Sequence, residues 1–382
     1  MKRGAVLLVA NYPSDVGYAW WLMEAYWAAI AERLAARGRS SFLAYPSVRE
    51  LPPRIAEARV EVIELPWPGS SAQSLATFMG FIRARNVTGL YLTDHRLLDW
   101  KYAVLRGAGI RRIVVHDHTP GDRPRIGGLK GACKAAAFRL PGLSADRAIG
   151  ATDFVTRRLR NNGRFPASRC RTVPNGLPLT PLPTANDRRI ARETLQLAPD
   201  AVAIGIMSRA QRIKNWSFAI EVARSVALAP GTARSNVTWV FCGDGPDLAG
   251  FRKEAEAAGI SRYCSFLGRR EDVPALLAGM DIGMHPSRGE VGYSLSTLEF
   301  MRAGLPVIVP DLPSVCGATG HERTGLVYPA GDRAAAAAAI CRLVDAPDLR
   351  HRLGMAGRAE LESRHSLDAA LEALVREVAD FI

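Results

Sequence analysis

The stretch Ala201-Val-Ala-Ile-Gly-Ile-Met207-Ser-Arg209-Ala-Gln-Arg-Ile-Lys214-Asn-Trp216 decides how the chain folds. Its first seven residues carry no polar side chain, too short a run for a buried helix and without the alternation of a strand that is wet on one face. Such a run reads as a parallel strand covered on both sides. A polar loop follows, with Arg209 and Lys214 five positions apart, and a helical pattern then covers 216–229. Strand, loop, helix is the repeating unit of a doubly wound α/β domain.

The same unit recurs in both directions. Further strands are expected at 237–242, 263–267, 281–285, 306–310 and 325–328, with helices at 247–258, 273–278, 293–303 and 334–345. The first half has the same rhythm, with strands at 5–10, 41–45, 60–65, 89–93, 112–116 and 148–150 and helices at 20–37, 71–85, 99–109, 127–138 and 153–162. Between the halves, 173–183 holds four prolines and a glycine, which fix φ, remove donors and stop helices. The organisation expected is therefore an α/β domain over 1–175, a linker over 176–190, a second α/β domain over 191–365, and a C-terminal helix within 366–382 that returns toward the first domain. In open parallel sheets ligands bind beyond the carboxyl ends of the strands. Two sheets facing each other across a cleft would put the site there.

Bulk properties narrow the class. A chain of 382 residues, 48% apolar and 23% charged, suits two globular domains rather than a disordered polymer. Six scattered cysteines without a C-x-x-C pair argue for reduced thiols in a cytoplasmic protein. The apolar run 5–10 reads as a buried strand rather than a signal peptide, and no run approaches a membrane span. A net charge of +13 favours anionic partners. Of these, nucleic acid is not expected, because the basic residues lack interleaved aromatics or a recognised module.

The second half concentrates the chemistry. Arg209 and Lys214 follow a strand end and offer a bidentate fork and a point charge, which suit a diphosphate. Gly292, Tyr293, Ser294 and Leu295 lead into the helix that carries Glu299. A helix start presents unpaired N–H groups to an anion, and Gly292 lets backbone approach it. Glu290 and Glu299 flank that point and accept hydrogen bonds from hydroxyls rather than bind phosphate. No D-x-D, Walker A sequence or complete dinucleotide fingerprint is present.

These motifs, in order, are Arg209-x4-Lys214, Gly243-Asp-Gly245-Pro, Leu-Gly268-Arg269, Pro-Ser-Arg-Gly-Glu290 with Glu299, and Ala303-Gly-x-Pro-Val307. The order resembles the retaining GT-B glycosyltransferases of family 4. The resemblance implies two Rossmann-like domains and metal-independent hexosyl transfer from a nucleotide-diphosphate sugar, with a UDP or GDP base, to a sugar, glycan or lipid-linked acceptor. No cofactor or metal is implied. Arg209 and Lys214 would hold the diphosphate, Glu290 the transferred sugar, Gly292–Leu295 the phosphates and Glu299 the ribose. Gly243 would line the donor site, and Gly268 and Arg269 would face the base. His118 matches a family histidine near sugar and acceptor. Two departures stand out. Eight residues rather than seven separate Glu290 from Glu299, with Val291 as the extra one, and the first loop keeps only Gly17 of its usual adjacent glycines.

In the first half, Thr93-Asp94-His95 and His116-Asp117-His118-Thr119 end neighbouring strands. A zinc site among His95, His116, Asp117 and His118 has no recognised ligand spacing. Twelve basic residues stand against three acidic ones in 121–171, with Lys130 and Lys134 one helical turn apart. That face suits either solvent or an anionic membrane, and so peripheral contact at the inner face of a membrane, in surface-polysaccharide or glycolipid assembly. The alternative is a non-catalytic GT-B-like protein that binds a nucleotide or an anionic lipid.

Overall fold

The computed structural model describes residues 4–15, 21–228 and 236–382. It divides into two compact units. The first holds 1–119, 123–174 and 368–382, and the second holds 120–122 and 175–367.

In the first unit the chain runs Ala5–Val9 (β1), Trp21–Ala36 (α1), Ser41–Tyr45 (β2), Pro53–Ala56 (α2), Glu61–Glu64 (β3), Ala72–Ala84 (α3), Val87–Thr93 (β4), Lys101–Gly107 (α4), Arg112–Asp117 (β5), Gly128–Ala137 (α5), Arg147–Gly150 (β6), Asp153–Asn161 (α6) and Cys170–Thr172 (β7). The strands form one parallel sheet in the order β3-β2-β1-β4-β5-β6-β7. The central strand β1 is buried throughout. The edge strand β3 is not, and its two glutamates are exposed, so it departs from the uniformly apolar pattern expected. Strand β7 has no counterpart in the sequence pattern, because three residues beside a proline-rich stretch carry no periodic signal. From α1, Met23, Trp27 and Leu34 are buried together, as their helical spacing requires.

The second unit runs Ala185–Thr194 (α7), Val202–Met207 (β8), Trp216–Ala227 (α8), Val237–Cys242 (β9), Leu248–Ala257 (α9), Cys264–Gly268 (β10), Val273–Leu277 (α10), Ile282–Met284 (β11), Leu295–Arg302 (α11), Val307–Pro310 (β12), Gly325–Tyr328 (β13), Arg333–Asp345 (α12) and Pro347–Arg364 (α13). Its six strands are parallel in the order β10-β9-β8-β11-β12-β13. Trp216, Trp239, Phe241 and Phe251 fill the core beneath this sheet. Helix α7 opens inside the stretch expected as linker, where Thr184 and Asp187 form a reciprocal capping box. Helix α13 is likewise absent from the sequence pattern, for a physical reason. Its buried face is Leu353, Gly354, Gly357, Arg358 and Leu361, so two glycines and an arginine occupy positions where hydropathy looks for an apolar stripe. The glycine at 354 is required there, since an added Cβ would lie 1.9 Å from the Gly304 carbonyl oxygen.

The last helix, Leu367–Val378 (α14), belongs from Asp368 onward to the first unit. There Glu377 pairs with Arg147 at 2.7 Å, the Arg147 guanidinium lies 3.6 Å from the Phe381 ring centroid, and Ile382 packs where a side chain on Gly89 would otherwise sit. No described helix is long and apolar enough to cross a membrane.

Candidate donor site and its relatives

Two loops of the second unit bring the sequence-predicted Lys214 and Glu290 together. The first leaves β8 at Met207. Its start is tied down by Ser208 N–H to the Cys242 carbonyl at 3.1 Å and by the fully buried Trp216, whose indole N–H donates to Ser208 Oγ at 2.8 Å. Gly243, at φ 141°, packs so tightly that a Cβ would stand 1.9 Å from the Ser208 carbonyl oxygen. Gly243 therefore shapes the loop that carries Arg209, and its own N–H donates to Gly268 at 2.8 Å. Gly268 is in the left-handed region at φ 69° with open space around it, so its need for glycine is conformational. Arg269 beyond it reaches Glu271 at 3.6 Å and is largely exposed. Arg209 is exposed and makes no ion pair among the described residues.

The second loop leaves β11 at Met284. His285 N–H donates to Ile308 and extends the pairing with β12. Ser287 is fully buried and its hydroxyl donates to the carbonyls of Ile213 and Gly289 at 3.2 Å. Arg288 N–H also donates to Ile213, at 2.9 Å, and the Asn215 side-chain amide donates to the Pro286 carbonyl at 3.2 Å. Asn215 itself sits at φ 60°, a conformation asparagine tolerates better than most residues. The two loops are thus clamped along their length. The clamp sets the Lys214 ammonium on Glu290 Oε1, which also accepts from His285 Nε2 at 2.9 Å. Lys214 thus meets Glu290, the acid that directly precedes Val291. Burial pushes the Glu290 carboxyl up, but Lys214 and the His285 hydrogen bond outweigh it and hold the group down at about 2.

Past Glu290 the chain turns through Gly292 at φ 115°, whose N–H donates to Ser314 and whose carbonyl accepts from Gly317, both at 2.8 Å. Ser294 caps α11 by accepting from Thr297 N–H at 3.0 Å. The first N–H groups of a helix have no partner inside it, so the Leu295 end of α11 presents donors and a positive dipole end. The Tyr293 side chain is turned into the interior, where its hydroxyl donates to the Asn175 carbonyl at 3.1 Å and its ring meets His365. Any ligand contact at Tyr293 is therefore through backbone. Glu299 lies half-buried on α11, and burial pushes its carboxyl up to about 7 against the pull of Arg302. A groove of about 530 Å³ between α7 and α10, lined by Leu182, Ile190 and Leu276 among others, includes none of Arg209, Lys214, Glu290 and Glu299.

The first unit holds a second polar cluster, at the ends of β4 and β5. Asp94 stands at φ 57° and accepts from His118 N–H at 2.5 Å. Burial pushes Asp94 up to about 7, against that N–H and aided by Asp117. Arg158, 4% exposed, donates to both Asp117 oxygens at 3.2 and 3.3 Å and to the Thr119 carbonyl at 2.9 Å. His118 is thus braced on both sides through its neighbours. His116 is fully buried, 2.7 Å from the Tyr91 hydroxyl, and burial, then His118, pushes it below the ordinary histidine range. His95 packs on the Trp67 ring at 4.7 Å. No group of three or more His, Cys, Asp or Glu among the described residues could hold a metal ion. Gly17 lies outside the described residues.

Sequence reasoning passes over His285, Asn215 and Ser287, although all three lie in or beside the motifs that stand out. Their roles are to hold loops, and a loop contact has no periodicity to reveal it.

The family model described as "Glycosyl transferases group 1" matches residues 198–346. The 2-deoxystreptamine glucosyltransferase of Streptomyces kanamyceticus is 28% identical over 147 residues, which are 38% of this chain and 36% of that protein. The D-inositol 3-phosphate glycosyltransferase of Actinosynnema mirum is 27% identical along 98% of this chain and 96% of its own. Among solved structures, a Rickettsia africae glycosyltransferase superposes with a TM-score of 0.77 at 14% identity, covering 99% of both chains. Anabaena HepE in complex with UDP gives 0.74 at 17%, covering 97% of this chain and 98% of that one. Residues 198–346 thus match the group 1 glycosyltransferases, and the chain has the GT-B fold along its whole length.

Proposed function

We propose that the protein is a retaining, family-4-type hexosyltransferase that takes its sugar from a UDP- or GDP-linked donor without a metal ion. The observation that carries this reading is the Lys214–Glu290–His285 assembly beside the capped start of α11. Lys214 and Arg209 neutralise the departing diphosphate, with the α11 amides at its oxygens. Glu290 positions the transferred sugar, and Glu299 accepts from the ribose hydroxyls. His118, on the first unit, is the proposed contact to sugar and acceptor. In the mechanism that the family resemblance implies, the leaving phosphate takes the acceptor's proton as the bond from sugar to phosphate breaks and the new bond forms on the same face. The protein's contribution is charge stabilisation and positioning.

The test is a melting-temperature panel with UDP, GDP, ADP and their common sugar conjugates, since a ligand bound only to the native state raises stability. One diphosphate series is expected to raise Tm. Because Arg209 is exposed, Arg209→Ala should leave the ligand-free Tm unchanged and remove the rise. A panel in which no series moves Tm at millimolar ligand would favour the non-catalytic alternative.

The acceptor side is proposed to contact an anionic membrane through α5. Several of the twelve basic residues are spent internally, among them Arg147, Arg158 and Arg169. Arg125, Lys130 and Arg139 remain exposed, beside Leu129 at 81% and Leu140 at 53% exposure. Each such cation contributes about 1 kcal/mol near an anionic surface. The chain should sediment with phosphatidylglycerol-containing vesicles and not with phosphatidylcholine alone, and the L129E/L140E double variant should stay in solution. Equal sedimentation of that variant would remove the contact.

A further inference from the structure

Under the proposed transfer reaction, on which this inference rests, the Lys214–Glu290 pair has a conflict to resolve. A lysine that must hold a diphosphate begins bonded to a carboxylate that is only 7% exposed. If the lysine turns to phosphate, a buried anion loses its partner, and a buried carboxylate without one is costly. Something must keep Glu290 satisfied and in place during that exchange.

His285 is built for it. The residue is 1% exposed and leads directly from β11, with its own N–H paired to Ile308 of β12. Its backbone is therefore held by the sheet rather than by the loop beyond. Its Nε2 lies 2.9 Å from the same Glu290 oxygen that Lys214 contacts. An ionised carboxylate only accepts, so Nε2 carries the hydrogen and donates. The Ser287, Arg288 and Asn215 contacts hold the intervening turn, so the imidazole and the carboxylate face each other across the closed loop 286–289.

We propose that His285 is a positioning residue that holds the Glu290 carboxylate in place when Lys214 leaves it for the donor diphosphate, so that sugar and phosphate are gripped at once. The lysine then answers to the phosphate and the histidine to the acid. The longer Glu290–Glu299 spacing fits this division. The acid is set by the sheet through His285 and not by its distance from α11, which lets an extra residue, Val291, be accommodated.

The test uses the full chain with UDP-glucose and GDP-mannose as probes, measuring release of nucleoside diphosphate by wild type, H285Q, H285L, E290Q and H285L/E290Q, with Tm for each. Glutamine keeps a donor near the Nε2 position and leucine does not. H285L is expected to lower kcat about 10-fold or more with KM changed less than about 3-fold, the pattern of an interaction that matters in the transition state. H285Q should recover most of that loss. In the E290Q background H285L should cost nothing further, because residues acting through one another are not additive. A purely structural role would instead show as equal losses in H285L and H285Q, or as the same loss in both backgrounds, and either result overturns the proposal. Wild-type turnover matched by H285L overturns it alone. A wild-type chain that releases no diphosphate from either probe overturns the transfer reading and this proposal with it.

Discussion

Replacing Lys214 with alanine is expected to cut turnover about 100- to 1000-fold, the usual cost of removing one preorganised group that stabilises developing charge. The variant should remain folded but weaker. Glu290 would keep His285 as a partner and lose its cation, which places the cost at the low end of that for breaking a buried pair from one side, about 3 kcal/mol. The pH dependence separates this electrostatic effect from a packing defect. Glu290 is held at about 2, below its ordinary 4.5. Its pairing therefore stabilises the native state above about pH 4.5, and that contribution fades as pH falls from 4.5 toward 2. In Lys214→Ala the folded value should climb back, so urea melts of the variant should change less across this acid window than those of the wild type. Turnover within a few-fold of wild type would remove Lys214 from the leaving-group role.

Glu299→Gln is expected to do two opposite things. Burial pushes the Glu299 carboxyl up to about 7 from 4.5. The native state then holds this proton more tightly than the unfolded chain does. Stability tied to the group is full below about pH 4.5, declines as pH rises from 4.5 to 7, and is flat beyond. Glutamine cannot ionise, so the variant should be more stable at pH 8, by up to about 3 kcal/mol. It should also lose the decline between pH 4.5 and 7. If the carboxylate accepts from ribose hydroxyls, the same change should weaken donor binding about 10- to 100-fold, the worth of hydrogen bonds to a charged acceptor. Chemical denaturation across pH and donor titration by calorimetry read the two effects separately. A gain in stability with unchanged affinity would make Glu299 a buried acid with no part in the donor site. Its raised value would then be a cost of packing alone.

The fold was legible because parallel strands announce themselves. The six strands of the second unit all lie where unbroken apolar runs predict them, since a strand covered on both faces has no polar position to hide it. What escaped were elements with no such contrast: β7, three residues long, and α13, whose inner face is partly glycine and arginine. The candidate site was legible as residue types in order and illegible as contacts. Arg209, Lys214, Glu290 and Glu299 stand out only as a set, because each alone reads equally as a solvated charge and it is their order along the chain that matches a family pattern. That Lys214 and Glu290 touch depends on Ser287, Asn215 and backbone N–H groups about 70 residues apart in sequence, which no local pattern encodes. The basic stretch 121–171 shows the opposite error. Counting charge there overstates the free surface, because a buried ion pair such as Arg158–Asp117 and an exposed cation look alike in composition.

The return of residues 368–382 to the first unit also bears on how the protein is made. When the ribosome has released the first 174 residues, Arg147 still lacks Glu377 and Phe381, and Gly89 still lacks Ile382. The second unit is almost continuous in sequence and has all but its last contacts available before translation ends. The unit that is synthesised first is therefore the one completed last, and its unfinished side must wait out the synthesis of the whole second unit.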